Sequence, residues 1–339
     1  MLLVAYATLY PLSGWRAIGL SPFAYLSAPW PRYVTGFDVA VNIAGYVPFG
    51  FLAIAALYPR IQGAAAFGLA VVGAAALSLA LEAGQSYLPA RVATNLDVLC
   101  NLAGAALGAL LGLRATPLFA GGPLSRWRAG EFLPGAGVDF GLVLIALWLF
   151  TQLNPAALLF GVGDLRDLLA PPEGRARRPE FFVLIEAFTA GANLIAVALL
   201  FSALVLPGRP VRAMAVSVVM AALAVKTAAL AILMRAENVL AWLTHGAQLG
   251  LLVGVVLALV AIALPRTARL ALAAVLLMAA TVLVNLVPPN PYLAATLKVW
   301  QQGHFLNFNG LTRLVSALWP FMALGYLITL ASRRREALG

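Results

Sequence analysis

The chain has 339 residues, of which 63% are hydrophobic and only 10% are charged. Soluble proteins carry roughly 25% charged residues, so this composition excludes a soluble globular protein. The formal net charge of +10 does not indicate nucleic-acid binding, because the basic residues lie in short connections between apolar segments, as in membrane proteins. We therefore expect membrane lipid as a partner, and no nucleic acid.

Apolar segments close to the about 20 residues that cross a bilayer recur along the chain. They predict an all-α fold, a polytopic transmembrane helical bundle of about ten spans. The predicted spans are 1–14, 38–58, 62–86, 96–113, 138–160, 180–206, 211–234, 238–264, 268–288 and 311–331. The first is short, since only residues 1–9 are apolar before Pro11, and we expect it to cross the membrane incompletely.

Arginine residues in the connections predict the orientation. Cytoplasmic connections carry an excess of Lys and Arg, and the run Arg333, Arg334 and Arg335 at the C-terminus is the strongest such signal. The connection 161–179, with four Arg, is the main exception. We expect a multi-pass protein of the bacterial cytoplasmic (inner) membrane with both termini in the cytoplasm.

A polar segment lies where the third span ends and the fourth begins. It contains Glu82, Gln85, Arg91, Asp97 and Asn101. Charged and amide side chains are costly near lipid, so they indicate a functional site. Two structural alternatives stay open: Arg91 forms an ion pair with Glu82 or Asp97, and Asp97 caps its helix.

The same pattern occurs twice in the first part of the chain. The second span opens with DVAVNIAG from Asp38, and the fourth opens with DVLCNLAG from Asp97. In both, Asn follows after four residues (Asn42 and Asn101) and Gly after another three. This spacing keeps all three on one helical face. We expect the two polar stripes to face each other, with helix capping as the alternative role for both Asp residues.

The segment resembles the VanZ-like family of bacterial membrane proteins. The resemblance is carried by Asp38, Asn42, Pro48, Phe49, Gly50, Glu82, Gln85, Arg91, Asp97, Asn101, Gly104 and Gly108. It covers roughly residues 1–115 and implies a VanZ-like four-helix membrane unit there, followed by an additional six-helix membrane region at 116–339. Thr94 departs from the family pattern, which often has another acid after the arginine; fewer acids in this turn disfavour a metal.

The resemblance implies a protein of the cell envelope. The family is named after a protein associated with low-level resistance to the glycopeptide antibiotic teicoplanin. We expect this chain to bind or shield a lipid-linked cell-wall or glycolipid component at the outer leaflet. The expected ligand-binding residues are Asp38, Asn42, Glu82, Gln85, Arg91, Asp97 and Asn101.

Two other function classes stay open. One is a membrane-embedded enzyme acting on a lipid-linked substrate, with Glu82 or Asp97 as the base. The chain has no metal motif, nucleophile elbow or phosphate loop, which favours a non-enzymatic protein without a cofactor. The other is a transporter that uses Glu186 and Lys226. These two charges lie deepest in the predicted spans, and we expect them to form an intramembrane ion pair.

Further polar residues are predicted on the same outer face. They are Gln152, Asn154, Gln302, His304, Asn307, Asn309 and Arg313. Amides interleaved with Trp and Phe are common at a bilayer interface, and the alternative is a set of hydrogen-bond donors for a sugar or peptide. His304 and His245 lie far apart without acidic partners, so we expect no metal site.

Overall fold

The computed structural model describes residues 1–10, 12–17, 19, 21–166, 178–233, 239–290 and 306–336. Within these residues the fold is helical, with one short 3-10 helix at Ala24–Leu26. The α-helices are α1 (Leu2–Leu9), α2 (Gly36–Leu57), α3 (Gly63–Gln85), α4 (Asn95–Ala120), α5 (Pro123–Glu131), α6 (Ala136–Thr151), α7 (Pro179–Ser202), α8 (Val211–Leu233), α9 (His245–Ala261), α10 (Arg266–Leu286) and α11 (Leu306–Glu336). The predicted all-α membrane fold is confirmed.

Seven helices of the described chain, α2, α3, α4, α7, α8, α10 and α11, are long and apolar enough to cross a membrane. The apolar helices α6 and α9 have 16 and 17 residues, and α1 has eight. The fifth span, predicted as 138–160, is shorter in the structure because α6 ends at Thr151. Pro155 lies just beyond, and a residue before proline is disfavoured in helical geometry.

The chain divides into two compact units. Unit 1 comprises Met1–Arg128 with the first residues of α11, and unit 2 comprises the described residues from Ala129 onward with α11 from Thr312. Contacts between residues divide the chain after Arg128. The predicted domain boundary at residue 115 stays a prediction.

Unit 1 is built around a close contact between α2 and α4. A Cβ on Gly104 would lie 2.1 Å from the backbone oxygen of Ile43, and one on Gly108 would lie 2.0 Å from that of Val47. Small residues allow helix backbones to approach closely in a membrane, where packing and not hydrophobicity holds helices together. The glycine stripe of α4 therefore fixes the position of α2 and of the polar residues at its start.

Unit 2 is built around α7, which is buried on all sides over its second half. Every residue from 189 to 202 is buried, as expected for a helix surrounded by others. Its first half contacts α9 through small residues, since a Cβ on Gly250 would lie 2.5 Å from the backbone oxygen of Ala187. On another side of the unit, the Trp319 indole donates to the backbone oxygen of Leu144 (2.7 Å).

Candidate functional site

The N-terminus of α2 is capped by residues at its own start. Thr35 is the N-cap; its hydroxyl oxygen accepts from the Asp38 N–H (3.1 Å), and Asp38 Oδ2 accepts from the Thr35 N–H (3.2 Å). This reciprocal pair is a capping box, which satisfies two amides that have no partner inside the helix. Asp38 is therefore a helix-capping residue, as the structural alternative predicted, and its side chain is exposed.

The N-terminus of α4 has the same residues in a different arrangement. The hydroxyl oxygen of Thr94 accepts from the Asp97 N–H (3.0 Å), but the Thr94 N–H donates to Oε2 of Glu82 on α3 (3.2 Å). The Asp97 carboxylate therefore does not complete a capping box with the Thr94 N–H. It interacts with the Thr94 side chain and accepts a hydrogen bond from the Asn42 amide on α2, so Asp97 keeps a contact at its own helix start and also bonds to a second helix.

Residues from three helices thus meet at one end of unit 1. We call Asp38, Asn42, Glu82 and Asp97 the acidic cluster. The charge of Asp97 acts on Glu82, and the charge of Asp38 acts on Asp97. Glu82 is only 2% exposed. Among the residues that the structure describes, no Lys or Arg forms a salt bridge with these carboxylates, so donors must come from amides, hydroxyls or a ligand.

The other three candidates of unit 1 lie around this cluster. The buried Asn101 amide, one turn further along α4, donates to the hydroxyl of Ser78 on α3 (3.0 Å). The Gln85 amide donates to the backbone oxygen of Thr8 (3.0 Å). Asn101 therefore links two helices, and Gln85 holds the end of α1.

Arg91 also holds the segment that follows α1. Its Nε and Nη2 donate to the backbone oxygen of Tyr10 at 3.0 and 2.5 Å. Burial lowers the pKa of the guanidinium, which still carries its charge near neutral pH. The predicted alternative of an ion pair with Glu82 or Asp97 is not formed within the described part of the chain.

Sequence reasoning missed Thr35, Thr94 and Ser78. The signal for the two threonines is present, because TGFD and TNLD both have Thr three residues before Asp, a spacing typical of a helix start. Ser78 lies one helical turn before Glu82 on α3, and helical spacing from Glu82 would have pointed to it.

Gln152 and Asn154, two of the predicted outer-face residues, are both buried and bond within the protein. The Gln152 amide donates to the hydroxyl of Thr151 (3.0 Å), and its oxygen accepts from the Phe160 N–H (3.2 Å). The Asn154 side chain accepts from the N–H of Ala156 (2.9 Å). Buried amides must find internal partners, so these two residues shape the turn after α6.

Glu186 and Lys226 do not form the predicted ion pair among the residues that the structure describes. The Lys226 ammonium donates to the backbone oxygens of Asn154 (2.6 Å) and Ala157 (2.8 Å). Glu186 instead lies within hydrogen-bonding reach of the Thr244 side chain. The turn after α6 places backbone carbonyl groups beside the ammonium. The sequence prediction compared only the depths of Glu186 and Lys226 in their helices, so it could not reveal this contact.

The remaining candidates belong to α11 and the segment before it. Gln302 and His304, and the side chains of Asn307 and Asn309, lie outside the described residues. Arg313 is half-buried, and its charge acts on Asp164. In the described ranges, no group of three His, Cys, Asp or Glu residues is placed to hold a metal ion.

Asp164 makes a bidentate pair with Arg166, at 2.9 Å from Nε and 2.6 Å from Nη2. Burial would raise the pKa of this carboxyl, but the hydrogen bonds and charge of Arg166 outweigh burial and lower it.

We expect the pair of Asp164 and Arg166 to stabilise unit 2 above the unfolded pKa of about 4 and to lose this effect as the pH falls below it. The melting temperature of Asp164→Asn should therefore be lower than that of the unmodified protein at pH 7, and the gap should close below about pH 4. A gap that is constant across this range would contradict the assignment.

A match to a known protein family covers most of unit 1. Residues 1–116 match the family model described as VanZ/LLP1. No curated protein and no solved structure matches the chain. The matched region includes α2, α3, the acidic cluster and the glycine stripe of α4. The first third of this multi-pass membrane protein is therefore VanZ-like.

Proposed function

We propose that unit 1 binds the polar headgroup of a membrane lipid at its acidic cluster, without catalysing a reaction. The observation that carries the proposal is the difference between the two helix starts. Asp38 completes a capping box on its own helix, whereas Glu82 accepts from the backbone N–H of Thr94, and the Asp97 carboxylate interacts with the Thr94 side chain and with Asn42 of α2. An ionised carboxylate offers about four acceptor sites, more than the Thr94 side chain and Asn42 occupy, so Asp97 can accept further hydrogen bonds from a ligand.

The position of the cluster supports a headgroup as the ligand. It lies at the start of α2 and α4 and the end of α3, where a span meets the membrane surface. The connection between α1 and α2 exposes Trp15, Trp30 and Tyr33, and Trp and Tyr are enriched at membrane interfaces. Aromatic rings beside hydrogen-bond acceptors suit a sugar or amino-sugar headgroup.

We further propose the cellular setting. With both termini in the cytoplasm of a bacterium, the acidic cluster faces the outer leaflet of the inner membrane. Carboxylates there would accept from sugar hydroxyls or from an amine, groups that lipid-linked cell-wall intermediates and glycolipids offer. Binding or shielding such a lipid would affect the susceptibility of the cell to glycopeptides such as teicoplanin.

Asp97→Asn is expected to weaken headgroup binding about tenfold, which corresponds to about 1.4 kcal/mol. The amide keeps the shape of the side chain but replaces one acceptor oxygen with a donor. The measurement is the Kd of the purified chain in nanodiscs for a polyprenyl-diphosphate-linked amino-sugar disaccharide. Glu82→Gln should give a loss of similar size.

The matched control is Glu180→Gln, an exposed acid of unit 2, which should leave the Kd unchanged. A melting temperature recorded for each variant separates lost binding from lost folding. An unchanged Kd in folded Asp97→Asn would contradict the proposal. Conversion of the probe, detected by mass spectrometry, would instead support the enzymatic alternative.

A further inference from the structure

Two arginine residues of unit 2 lie on a helix face that is otherwise buried. Arg266 is the first residue of α10, and Arg269 follows almost one turn later. Residues three, four and seven positions apart share a helical face. That face continues along α10 with Leu270, Ala273 and Leu277, each at most 4% exposed. The two arginines therefore extend the buried face of α10 to the very start of the helix.

The placement of these arginines is not explained by topology alone. Basic residues collect near the ends of membrane spans, and Arg209, before the start of α8, is an exposed example with Glu131 at 3.6 Å. Arg266 and Arg269 are instead half-buried. In the described chain, no carboxylate forms a salt bridge with either of them.

The hydrogen bonds of the two guanidinium groups are incomplete. Arg269 Nη1 donates to the hydroxyl oxygen (2.7 Å) and the backbone oxygen (3.3 Å) of Ser202, the last residue of α7. Arg266 makes no hydrogen bond to a residue that the structure describes. The Nε atoms of both arginines are buried and have no acceptor within the described ranges.

The two positive charges also act on each other. The charge of Arg266 acts on Arg269, so like charges are held close together near the contact of α10 with α7. A partly buried charge without an opposite charge costs free energy. An anion in contact with both guanidinium groups would remove that cost. Because both residues are only half-buried, part of each stays accessible to such a ligand.

We infer that Arg266 and Arg269 bind the phosphate of an anionic membrane lipid at this end of unit 2. Guanidinium groups bind phosphate through parallel hydrogen bonds, and basic pockets between membrane helices bind anionic headgroups. A lipid suits the position, because the site lies at the start of a span and the apolar residues just before it, Val260 and Leu264, are exposed. The site belongs to unit 2 and does not depend on the acidic cluster of unit 1.

The test uses the full chain in mixed micelles of a neutral detergent. Dioleoyl phosphatidylglycerol is titrated into the micelles, and the melting temperature is recorded against its mole fraction. We expect a saturable rise. Dioleoyl phosphatidylcholine has the same acyl chains, but its ammonium offsets the phosphate charge, so it should bind at least tenfold more weakly. Free glycerol 1-phosphate should not shift the melting temperature at concentrations where the lipid saturates.

Arg266→Gln should weaken the binding of phosphatidylglycerol at least tenfold. Its melting temperature without the lipid should not fall, because the side chain bonds to no described residue and one of two like charges is removed. Arg269→Gln should weaken binding as well, but it should also lower the lipid-free melting temperature, because Ser202 loses its donor. Arg126→Gln is the matched control, since it removes the same charge from an exposed position and should bind the lipid normally.

Three results would overturn the inference. The first is that phosphatidylglycerol gives no saturable rise, or that Arg266→Gln binds it as tightly as the unmodified chain. The second is that Arg126→Gln weakens binding as much as Arg266→Gln, which would indicate a general effect of net charge. The third is an equal response to phosphatidylcholine or to glycerol 1-phosphate, which would indicate that acyl chains alone or a soluble anion are sufficient.

Discussion

Gly108→Ala is expected to destabilise unit 1 by about 3 kcal/mol, at the upper end of the range for overpacked cores. The new methyl group would lie 2.0 Å from the backbone oxygen of Val47 and 3.0 Å from the backbone nitrogen of Phe51. Backbone atoms cannot rotate away as a side chain can, so α2 and α4 must separate. The change should appear as a lower melting temperature of the detergent-purified chain.

Gly45→Ala provides the matched control. Gly45 stands in the first copy of the repeated pattern where Gly104 stands in the second, yet no atom lies within 4 Å of a Cβ placed there. Alanine also favours helix over glycine by up to about 1 kcal/mol. The control should melt at the same temperature as the unmodified protein, or slightly higher. Equal melting temperatures for Gly108→Ala and Gly45→Ala would mean that the close contact of α2 with α4 is not present in the purified protein.

Separation of α2 from α4 has a second expected consequence. Asn42 and Asp97 sit on these two helices and form one hydrogen bond. Gly108→Ala should therefore also weaken headgroup binding, although residue 108 lies three turns from Asp97 along α4. A variant that melts early but binds normally would show that the acidic cluster does not depend on this contact.

Lys226→Met is expected to destabilise unit 2 by about 2 kcal/mol. Methionine fills nearly the same volume but donates no hydrogen bond, so the backbone oxygens of Asn154 and Ala157 lose their buried partner. An unsatisfied buried group costs about 1–3 kcal/mol, and relief from burying a charge offsets part of that cost. The melting temperature of the purified chain measures the loss. Ser217→Ala on the same helix, where the hydroxyl is exposed and bonds only within α8, should change stability by less than about 0.5 kcal/mol.

A double-mutant cycle tests whether Lys226 interacts with the turn after α6 and not with Glu186. If the two charges do not pair, the effects of Lys226→Met and Glu186→Gln on stability should add within about 0.5 kcal/mol. A larger coupling energy would restore the ion pair that the sequence suggested. Additive effects would support the contact of Lys226 with the turn after α6.

The polar residues at the start of α2 and α4 show how far sequence reasoning extends. The spacing of Asp38, Asn42, Asp97 and Asn101 predicts one polar face per helix, because side chains three and four residues apart share a face. The repeat also predicts the same contacts for Asp38 and Asp97. The structure differs, because Glu82 of a third helix accepts from the Thr94 N–H and only Asp38 forms a capping box.

Composition and apolar spacing are enough to identify a multi-pass helical membrane protein, and the residue pattern of the first third is enough to indicate its VanZ-like character. Long apolar segments have no stable alternative to helices in lipid, because every backbone amide must be satisfied within the segment. The hydrogen-bond partners of single polar side chains depend on the folded arrangement. Arg91 and Lys226 donate to backbone oxygens instead of pairing with Glu82 and Glu186, and the side-chain oxygen of Gln152 accepts from the Phe160 N–H eight residues further along. Backbone oxygens are the same at every position of a sequence, and only the folded chain determines which of them a buried donor can reach.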